Sequence, residues 1–232
     1  MKKYEQDLTS TNTRDINWQD IDTVMMDMDG TLLDLHFDNF FWLIHLPTRY
    51  AEIHNTSFQA ARKNIERLTR ELKGTLDWYS TVYWSKELTV NIYELKQEIR
   101  HLIDMRPFVY EFLEQLKVAG KKRLLITNAH PESLKLKMNN TKINKFLDAI
   151  HTSHEFNYPK ESQKFWQALA CKETFNPSRT LFIDDSVEIL HAANQFGIKY
   201  LLGINKPDSK KNRIDITDFN SICYFDEVLP IV

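Results

Sequence analysis

Short apolar runs recur along the chain, and the stretches between them carry apolar residues at helical spacing. Thr23 to Met28 (TVMMDM) is mostly apolar, lacks helix caps and stops at Gly30, the pattern of a strand buried on both faces of a parallel sheet. Comparable runs stand at Arg123 to Thr127, Ala149 to Thr152, Thr180 to Ile183 and Lys199 to Leu202. Helical stretches lie between them: Pro107 to Val118 ahead of Gly120, Pro131 to Met138 opening on a proline suited to a first turn, Glu161 to Cys171, and Val187 to Gln195. Strands alternating with helices predict an α/β fold with a doubly wound parallel sheet.

Leu35 to Met105 breaks that rhythm and reads as several helices without a strand. The prediction is a core built from residues 1–34 and 106–232, with a helical subdomain inserted at 35–105. Aromatic residues crowd the insert, among them Phe41, Trp42, Trp78, Tyr79, Tyr83 and Trp84. Small helical bundles use such side chains as core, and one or two of these are also candidates to line a ligand cleft. Lys206 to Arg213 is polar and aperiodic, and reads as a solvated loop.

Composition narrows the chemistry. With 232 residues, 42% hydrophobic and 27% charged, and a formal net charge of −2, the chain has an ordinary globular balance and no broad basic footprint for nucleic acid. Small molecules are the expected partners. The five glycines complete neither a Walker loop nor a Gly-x-Gly-x-x-Gly turn, so a bound phosphate must be held differently. Cys171 and Cys223 are far apart and outside metal-ligand spacing, as fits idle thiols in a reducing compartment. Met1 to Asp20 is polar without the apolar stretch of a signal peptide, and no run approaches the ~20 residues that cross a bilayer. A cytoplasmic monomer without membrane contact is expected.

The informative string is Asp27-Met28-Asp29-Gly30-Thr31, where two carboxylates stand two residues apart at the end of an apolar strand. Open parallel sheets bind ligands beyond the carboxyl ends of their strands. A calcium loop needs glycine at its sixth position, but that position counted from Asp27 is Leu32. Aspartates capping a turn remain the structural alternative. Thr180 to Ile183 ends in a second acidic pair, Asp184-Asp185, at the same edge of the sheet. Four carboxylates there repel one another unless a cation binds or a proton stays on one member, and oxygen ligands of this type suit Mg²⁺. Thr127-Asn128 offers a hydroxyl and an amide at that edge, weak evidence alone because such residues often start turns. Lys160 is either a solvated surface lysine or the counter-charge to the carboxylates.

These residues, in this order, resemble the four motifs of the haloacid dehalogenase-like hydrolase superfamily: Asp27-x-Asp29-Gly30-Thr31, Thr127, Lys160 and Asp184-Asp185. The 35–105 insert falls where that family carries a helical cap. Phe37-Asp38-Asn39, Leu76-Asp77-Trp78-Tyr79, Thr127-Asn128-Ala129-His130-Pro131, Tyr158-Pro159-Lys160-Glu161 and Leu181 to Ser186 are similar to its bacterial GMP/IMP nucleotidase branch. The resemblance runs from about Trp18 to Leu202. It implies that Asp27 is a nucleophile forming an aspartyl-phosphate, and that Asp29 protonates the leaving oxygen and then activates water. It also implies that Mg²⁺ binds Asp27, the backbone carbonyl of Asp29 and Asp185, with Asp184 a ligand or the holder of a bound water. Thr127 and the backbone around Asn128 would bind phosphoryl oxygens, and Lys160 would neutralise charge and orient Asp27.

The implied substrate is a purine mononucleotide, with Phe41, Trp42, Trp78, Tyr79 and Tyr83 as candidates to contact it. Other small phosphate esters, such as a sugar phosphate or phosphoglycolate, and a phosphomutase reaction stay open. A dehalogenase fits less well, because family members of that kind typically lack an aspartate at the position of Asp29. An idle binding module would have no use for the intact set of motifs. His130, His151 and His154 match no strong zinc pattern and read as loop or surface residues.

Overall fold

A computed structural model describes residues 16–232; most of the polar amino-terminal stretch lies outside the described residues. Strands Thr23–Met26 (β1), Lys122–Thr127 (β2), Ala149–Thr152 (β3), Thr180–Asp184 (β4), Tyr200–Ile204 (β5) and Ser221–Ile222 (β6) form one sheet. All pairs are parallel, in the order β3-β2-β1-β4-β5-β6. This is the expected doubly wound sheet, whose strand order reverses direction beside β1 and opens a crevice there.

The central strands are apolar throughout because successive side chains serve two cores. Val24 and Met26 of β1, Leu125 of β2, and Leu181 and Ile183 of β4 pack on one face against Val109, Phe112, Leu113 and Leu116 of the helix Val109–Val118. Met25, Leu124, Ile126 and Phe182 take the other face, under Phe165, Trp166 and Leu169 of Gln163–Lys172 and Ile189 and Leu190 of Val187–Phe196. Each such side chain, when fully buried, contributes roughly 1.5 to 3 kcal/mol. β1 ends at Met26, two residues earlier than its apolar pattern suggests, and β6 is a two-residue strand too short to leave a pattern.

Residues 36–102 contain helices and no strand, and surround a third core made of Phe37, Phe41, Leu46, Ile65, Trp84, Leu88, Ile92, Leu95 and neighbours. A Leu33–Met105 bridge and the Asp34 amide donating to the Asp104 carbonyl (3.0 Å) close the neck of the insert. Its first helices run on continuously from His36 to Ile53, through a wide turn at Phe41–His45 where the Leu46 amide reaches back five residues to Phe41. Pro47 follows and has no N–H to offer Leu43, which favours this widening.

The loop at 206–213 departs from expectation. Asp208 is buried and accepts from Asn39 Nδ2 (2.7 Å), while the Leu35 amide donates to the Pro207 carbonyl (3.0 Å). The loop therefore straps the junction between core and insert. His151 is likewise not a surface residue: it is buried on β3, its ring nitrogens 3.2 Å from Glu155 and 2.9 Å from Glu173. Among the described residues, no helix is long and apolar enough to cross a membrane.

Candidate active site

Sheet register assembles the carboxylates. Met26 pairs with Leu125 on one side and Ile183 on the other, so the next residues, Asp27 and Asp184, stand side by side. The Asp27 amide donates to the Ile183 carbonyl (2.9 Å), which carries the ladder one residue past β1. By strand alternation both side chains share the face of Met25 and Phe182.

Lys160 enters from that face, just ahead of Gln163–Lys172. Its carbonyl accepts from Trp166 Nε1 (2.8 Å) and its amide donates to Asn128 Oδ1 (2.9 Å), which fixes the backbone at both ends. Nζ then donates to Asp27 Oδ1 (2.5 Å), Asp184 Oδ2 (2.7 Å) and the Ile126 carbonyl (3.1 Å). The ammonium's three donors are thus all used at 1% exposure. Burial alone would lower the proton affinity of Lys160, but Asp184 and Asp27 together outweigh it and raise it. Of the two readings of this lysine, the structure selects the counter-charge.

Asp185 follows Asp184 and turns toward Gly30. One carboxylate oxygen each from Asp27, Asp184 and Asp185 lie within 4.8 Å of one another. Three carboxylates face one ammonium, and no ion pair to Asp185 forms among the described residues. Burial raises Asp27 to about 6 against the pull of Lys160, and burial together with Asp184 and Asp27 holds Asp185 well above the usual carboxylate range. Burial also raises Asp184, against Lys160. A hard divalent cation matches this donor set and its surplus charge.

Gly30 makes room for that arrangement. Its φ is +87°, and a Cβ placed there would come within 2.5 Å of Asp185 Oδ2. Gly30→Ala therefore pushes Asp185 away as well as straining the turn, and is expected to weaken divalent-cation affinity roughly 10- to 100-fold. Calorimetric titration with Mn²⁺ checks this; wild-type affinity would remove the role given to the contact. Arg106, which nothing in the sequence marked, supports the same turn. It is buried, and Nη1 donates to the Gly30 and Thr31 carbonyls (3.0 and 3.2 Å) while Nη2 reaches the Cys223 carbonyl.

Asp29 has a different neighbourhood. Lys137 Nζ, from the helix Pro131–Thr141, lies 2.6 Å from Asp29 Oδ1 and 2.6 Å from Asp38 Oδ2. Burial raises Asp29 to about 6, opposed by Lys137 and assisted by Asp38 and Asp27. Asp38 is pushed the other way, to about 2, because Lys137 and Lys96 outweigh its burial. Two identical carboxylic acids thus differ through their partners. Lys137 and Lys96 escaped the sequence reading, and Asp38 entered it only within the Phe37-Asp38-Asn39 resemblance, with no role; the available signal for Lys137 was a lysine between Leu134, Leu136 and Met138 on the apolar side of a helix.

Thr127 is buried at the end of β2, and its Oγ1 accepts from the Ala129 amide (3.0 Å), so its own O–H remains to donate. The Asn128 side chain is committed: Oδ1 to Lys160 and Nδ2 to Glu161 Oε2 (3.0 Å). With Oδ1 and one Nδ2 donor spent inside the site, the Asn128 backbone is the better placed contact for a phosphate.

The aromatic candidates divide. Phe41 is fully buried in the core of the insert, with Lys96 Nζ 5.1 Å from its ring centre, and presents no face to a ligand, which corrects its assignment as a substrate contact. Trp42 is half-buried, edge-on to Trp84 at 5.6 Å. Trp78 is edge-on to Tyr79, and its carbonyl accepts from Trp84 Nε1 (2.9 Å). Tyr83 packs edge-on to Trp84, near Glu87, Asp77 and Glu71 of the insert itself. Tyr79 is the candidate joined to the cluster: its hydroxyl donates to Glu161 Oε1 (2.6 Å), beside Lys160. His130 and His154 are half-buried with ring centres 4.9 Å apart, and His130 Nδ1 sits 2.7 Å from Thr81 Oγ1 of the insert.

Known proteins resemble this chain in sequence and in fold. The sequence profile of the haloacid dehalogenase-like hydrolases matches residues 21–197. The chain is 44% identical over 194 residues to the GMP/IMP nucleotidase YrfG of Escherichia coli (strain K12), covering 84% of this chain and 87% of that protein. Its fold resembles a HAD phosphatase from Thermococcus onnurineus, with a TM-score of 0.75 at 20% identity over 90% of this chain and 96% of the other. It also resembles an L-2-haloacid dehalogenase from Xanthobacter autotrophicus, with a TM-score of 0.57 at 16% identity over 80% and 78%.

Proposed function

Because the chain belongs to the haloacid dehalogenase-like hydrolases, we propose that it is a Mg²⁺-dependent phosphatase that cleaves the purine 5′-nucleotides GMP and IMP through an aspartyl-phosphate on Asp27. The observation that carries the chemistry is the buried Asp27–Lys160–Asp184 cluster with Asp29 two residues from Asp27. The substrate reading rests on the 44% identity to the nucleotidase over most of both chains.

Asp27 attacks phosphorus while Lys160 holds its Oδ1 and balances charge. Thr127 donates its hydroxyl to a phosphoryl oxygen, and the backbone of Asn128 adds a second donor. Positioning and electrostatics of this kind dominate phosphoryl transfer. Asp29 gives a proton to the departing sugar oxygen, then accepts one from the water that hydrolyses the aspartyl-phosphate. A pKa near 6 keeps it able to do both around neutrality. Mg²⁺ held by Asp27, Asp185, Asp184 and the Asp29 backbone carbonyl would offset the charge of nucleophile and phosphate.

Residues 35–105 act in this reading as the cap over a core formed by 1–34 and 106–232. The Tyr79–Glu161 and Thr81–His130 contacts secure its near edge. Trp42, Trp78, Tyr79 and Tyr83 are the aromatics left to meet the base, and stacking contributes about 1 to 3 kcal/mol per base. Both cysteines are free thiols, Cys171 exposed, in keeping with a reducing compartment such as the cytoplasm.

Phosphate release measured over nucleotides, sugar phosphates and phosphoglycolate with Mg²⁺ present tests the proposal. GMP and IMP should give the highest kcat/KM, and a chelator should silence turnover until the cation is restored. Preference for a sugar phosphate would move the substrate assignment, and full activity in chelator would remove the cation.

Cation binding should also depend on pH in a stated direction. The metal-free site raises its carboxylate pKa values, so protons must leave before the cation enters. Affinity should fall as pH drops below about 6, by roughly tenfold per pH unit for each proton displaced. The stability sign follows from the same values. From about pH 4 to 6 the folded metal-free site holds more protons than the unfolded chain, so stability declines as pH rises through that window. Saturating Mg²⁺ should reverse the decline. Equal Mg²⁺ affinity at pH 5.5 and 7.5 would contradict both statements.

A further inference from the structure

A buried row of alternating charges runs from the loop after β1 into the insert. Lys137 is 1% exposed and Lys96 4%. Lys137 Nζ touches Asp29 Oδ1 and Asp38 Oδ2, each at 2.6 Å, and Lys96 Nζ touches Asp38 Oδ1 at 3.0 Å and Ser133 Oγ at 3.2 Å. Both ammonium groups lie against the Phe37 ring, 5.3 and 5.5 Å from its centre. Taking such groups out of water costs several kcal/mol per ion, so each must be matched closely. Lys96 to Ser133 and Lys137 to Asp38 join insert and core. The extra contact from Lys137 to Asp29 adds nothing to that junction, but it falls on the carboxyl group that stands beside the nucleophile.

We propose that Lys137 is the positioning residue for Asp29. This rests on reading Asp29 as the group that protonates the leaving oxygen. The Lys137 ammonium lies 2.6 Å from Oδ1 of Asp29 as an ion pair; its charge keeps the carboxylate's negative charge on Oδ1 and leaves Oδ2 as the oxygen that exchanges a proton. Without that contact the carboxyl group rotates about its last bond and presents either oxygen. When the P–O bond to the sugar breaks and the bond from phosphorus to Asp27 forms, the electron pair of the broken bond stays on the sugar oxygen. That oxygen takes its proton from Asp29 Oδ2. In the second half, water attacks phosphorus, its proton passes to Oδ2, and the Asp27–phosphorus bond breaks. Asp38, from the insert, aims Lys137 through Oδ2; Lys96 pairs with the other oxygen of Asp38 and does not reach Asp29. Holding a reacting group within about 0.5 Å of its productive place is what such a supporting shell supplies.

The test compares kcat/KM, which reports formation of the aspartyl-phosphate, on GMP and on p-nitrophenyl phosphate, whose leaving group needs little protonation. Lys137→Met should lose about 100-fold on GMP and less than ~5-fold on p-nitrophenyl phosphate. Lys137→Arg, which keeps a cation with several donors, should recover much of the GMP rate. Lys96→Met removes a buried charge from the far end of the row. It should lower the melting temperature comparably while leaving the ratio between substrates within about twofold of wild type. If Lys137→Met does not fold, Lys137→Gln, which is too short to span Asp29 and Asp38, is expected to show the same selective loss. Asp29→Asn separates the two layers of the reading. Equal loss on both substrates in Asp29→Asn overturns the assignment of the proton donor. A selective loss in Asp29→Asn with an equal loss on both substrates in the Lys137 variants reduces Lys137 to a structural ion and overturns this proposal alone.

Discussion

Asp27→Asn is expected to lower phosphate release by at least ~10³-fold while the protein remains folded, because the amide replaces the one group that attacks phosphorus. The substitution is close to isosteric. Its amide oxygen can still accept from Lys160, and removal of one of three neighbouring carboxylates relieves repulsion within the cluster. The melting temperature of the metal-free variant should therefore equal or exceed that of the wild type. Divalent-cation affinity should drop, since a ligand charge is lost. Phosphate assays and thermal melting on the same preparations separate the two effects. Substantial turnover in the variant would show that Asp27 is not the nucleophile, and a collapse in melting temperature would show that the residue is mainly structural.

Lys160→Met should act in the opposite sense on stability. The methionine fills similar volume but leaves Asp27 and Asp184 buried without their shared cation, and the Ile126 carbonyl without its donor. Breaking a buried pair on one side costs about 3 to 5 kcal/mol. For a chain of this length that corresponds to a fall in melting temperature of roughly 10 °C. Activity should vanish as well. The stability loss has a pH signature: without Lys160 the two carboxylates hold protons more tightly, so the variant recovers at pH 5 relative to pH 7. Mg²⁺ should restore part of the stability at pH 7 by supplying the missing positive charge. A variant that melts with the wild type at both pH values would show that the charges around Lys160 are not coupled as the distances indicate.

The parts of this molecule that could be read from its sequence are those whose signals are local. The two-sided burial of β1, β2 and β4 leaves uninterrupted apolar runs, and the end of β1 and β4 in paired aspartates follows from their place at the sheet edge. Lys160 stood between two readings, solvated or counter-charge, and only the resemblance gave it a role, since a lysine near a helix start looks solvated until Asp27 and Asp184 are brought to it. Lys137 was invisible for the same reason: its partner Asp38 is 99 residues away. The aromatic side chains of the insert failed differently. Periodicity shows that a residue faces inward, without distinguishing a core from a cleft, and the wide turn at Phe41–His45 shifts the helical phase where Phe41 and Trp42 stand. Phe41 thus went to the core, whereas Tyr79, on a four-residue helix with no readable period, reached Glu161. Loop 206–213 looked solvated because Asp208, its buried member, is a charged residue whose partners come from the insert junction.

The most direct measurement is to quench the enzyme in acid during turnover of radiolabelled GMP and to look for phosphate bound to the protein. The account predicts a hydroxylamine-sensitive phosphoryl group, at most about one per chain, that maps to Asp27 and is missing from Asp27→Asn. Turnover with no protein-bound phosphate at any quench time, or with the label on another side chain, would contradict it.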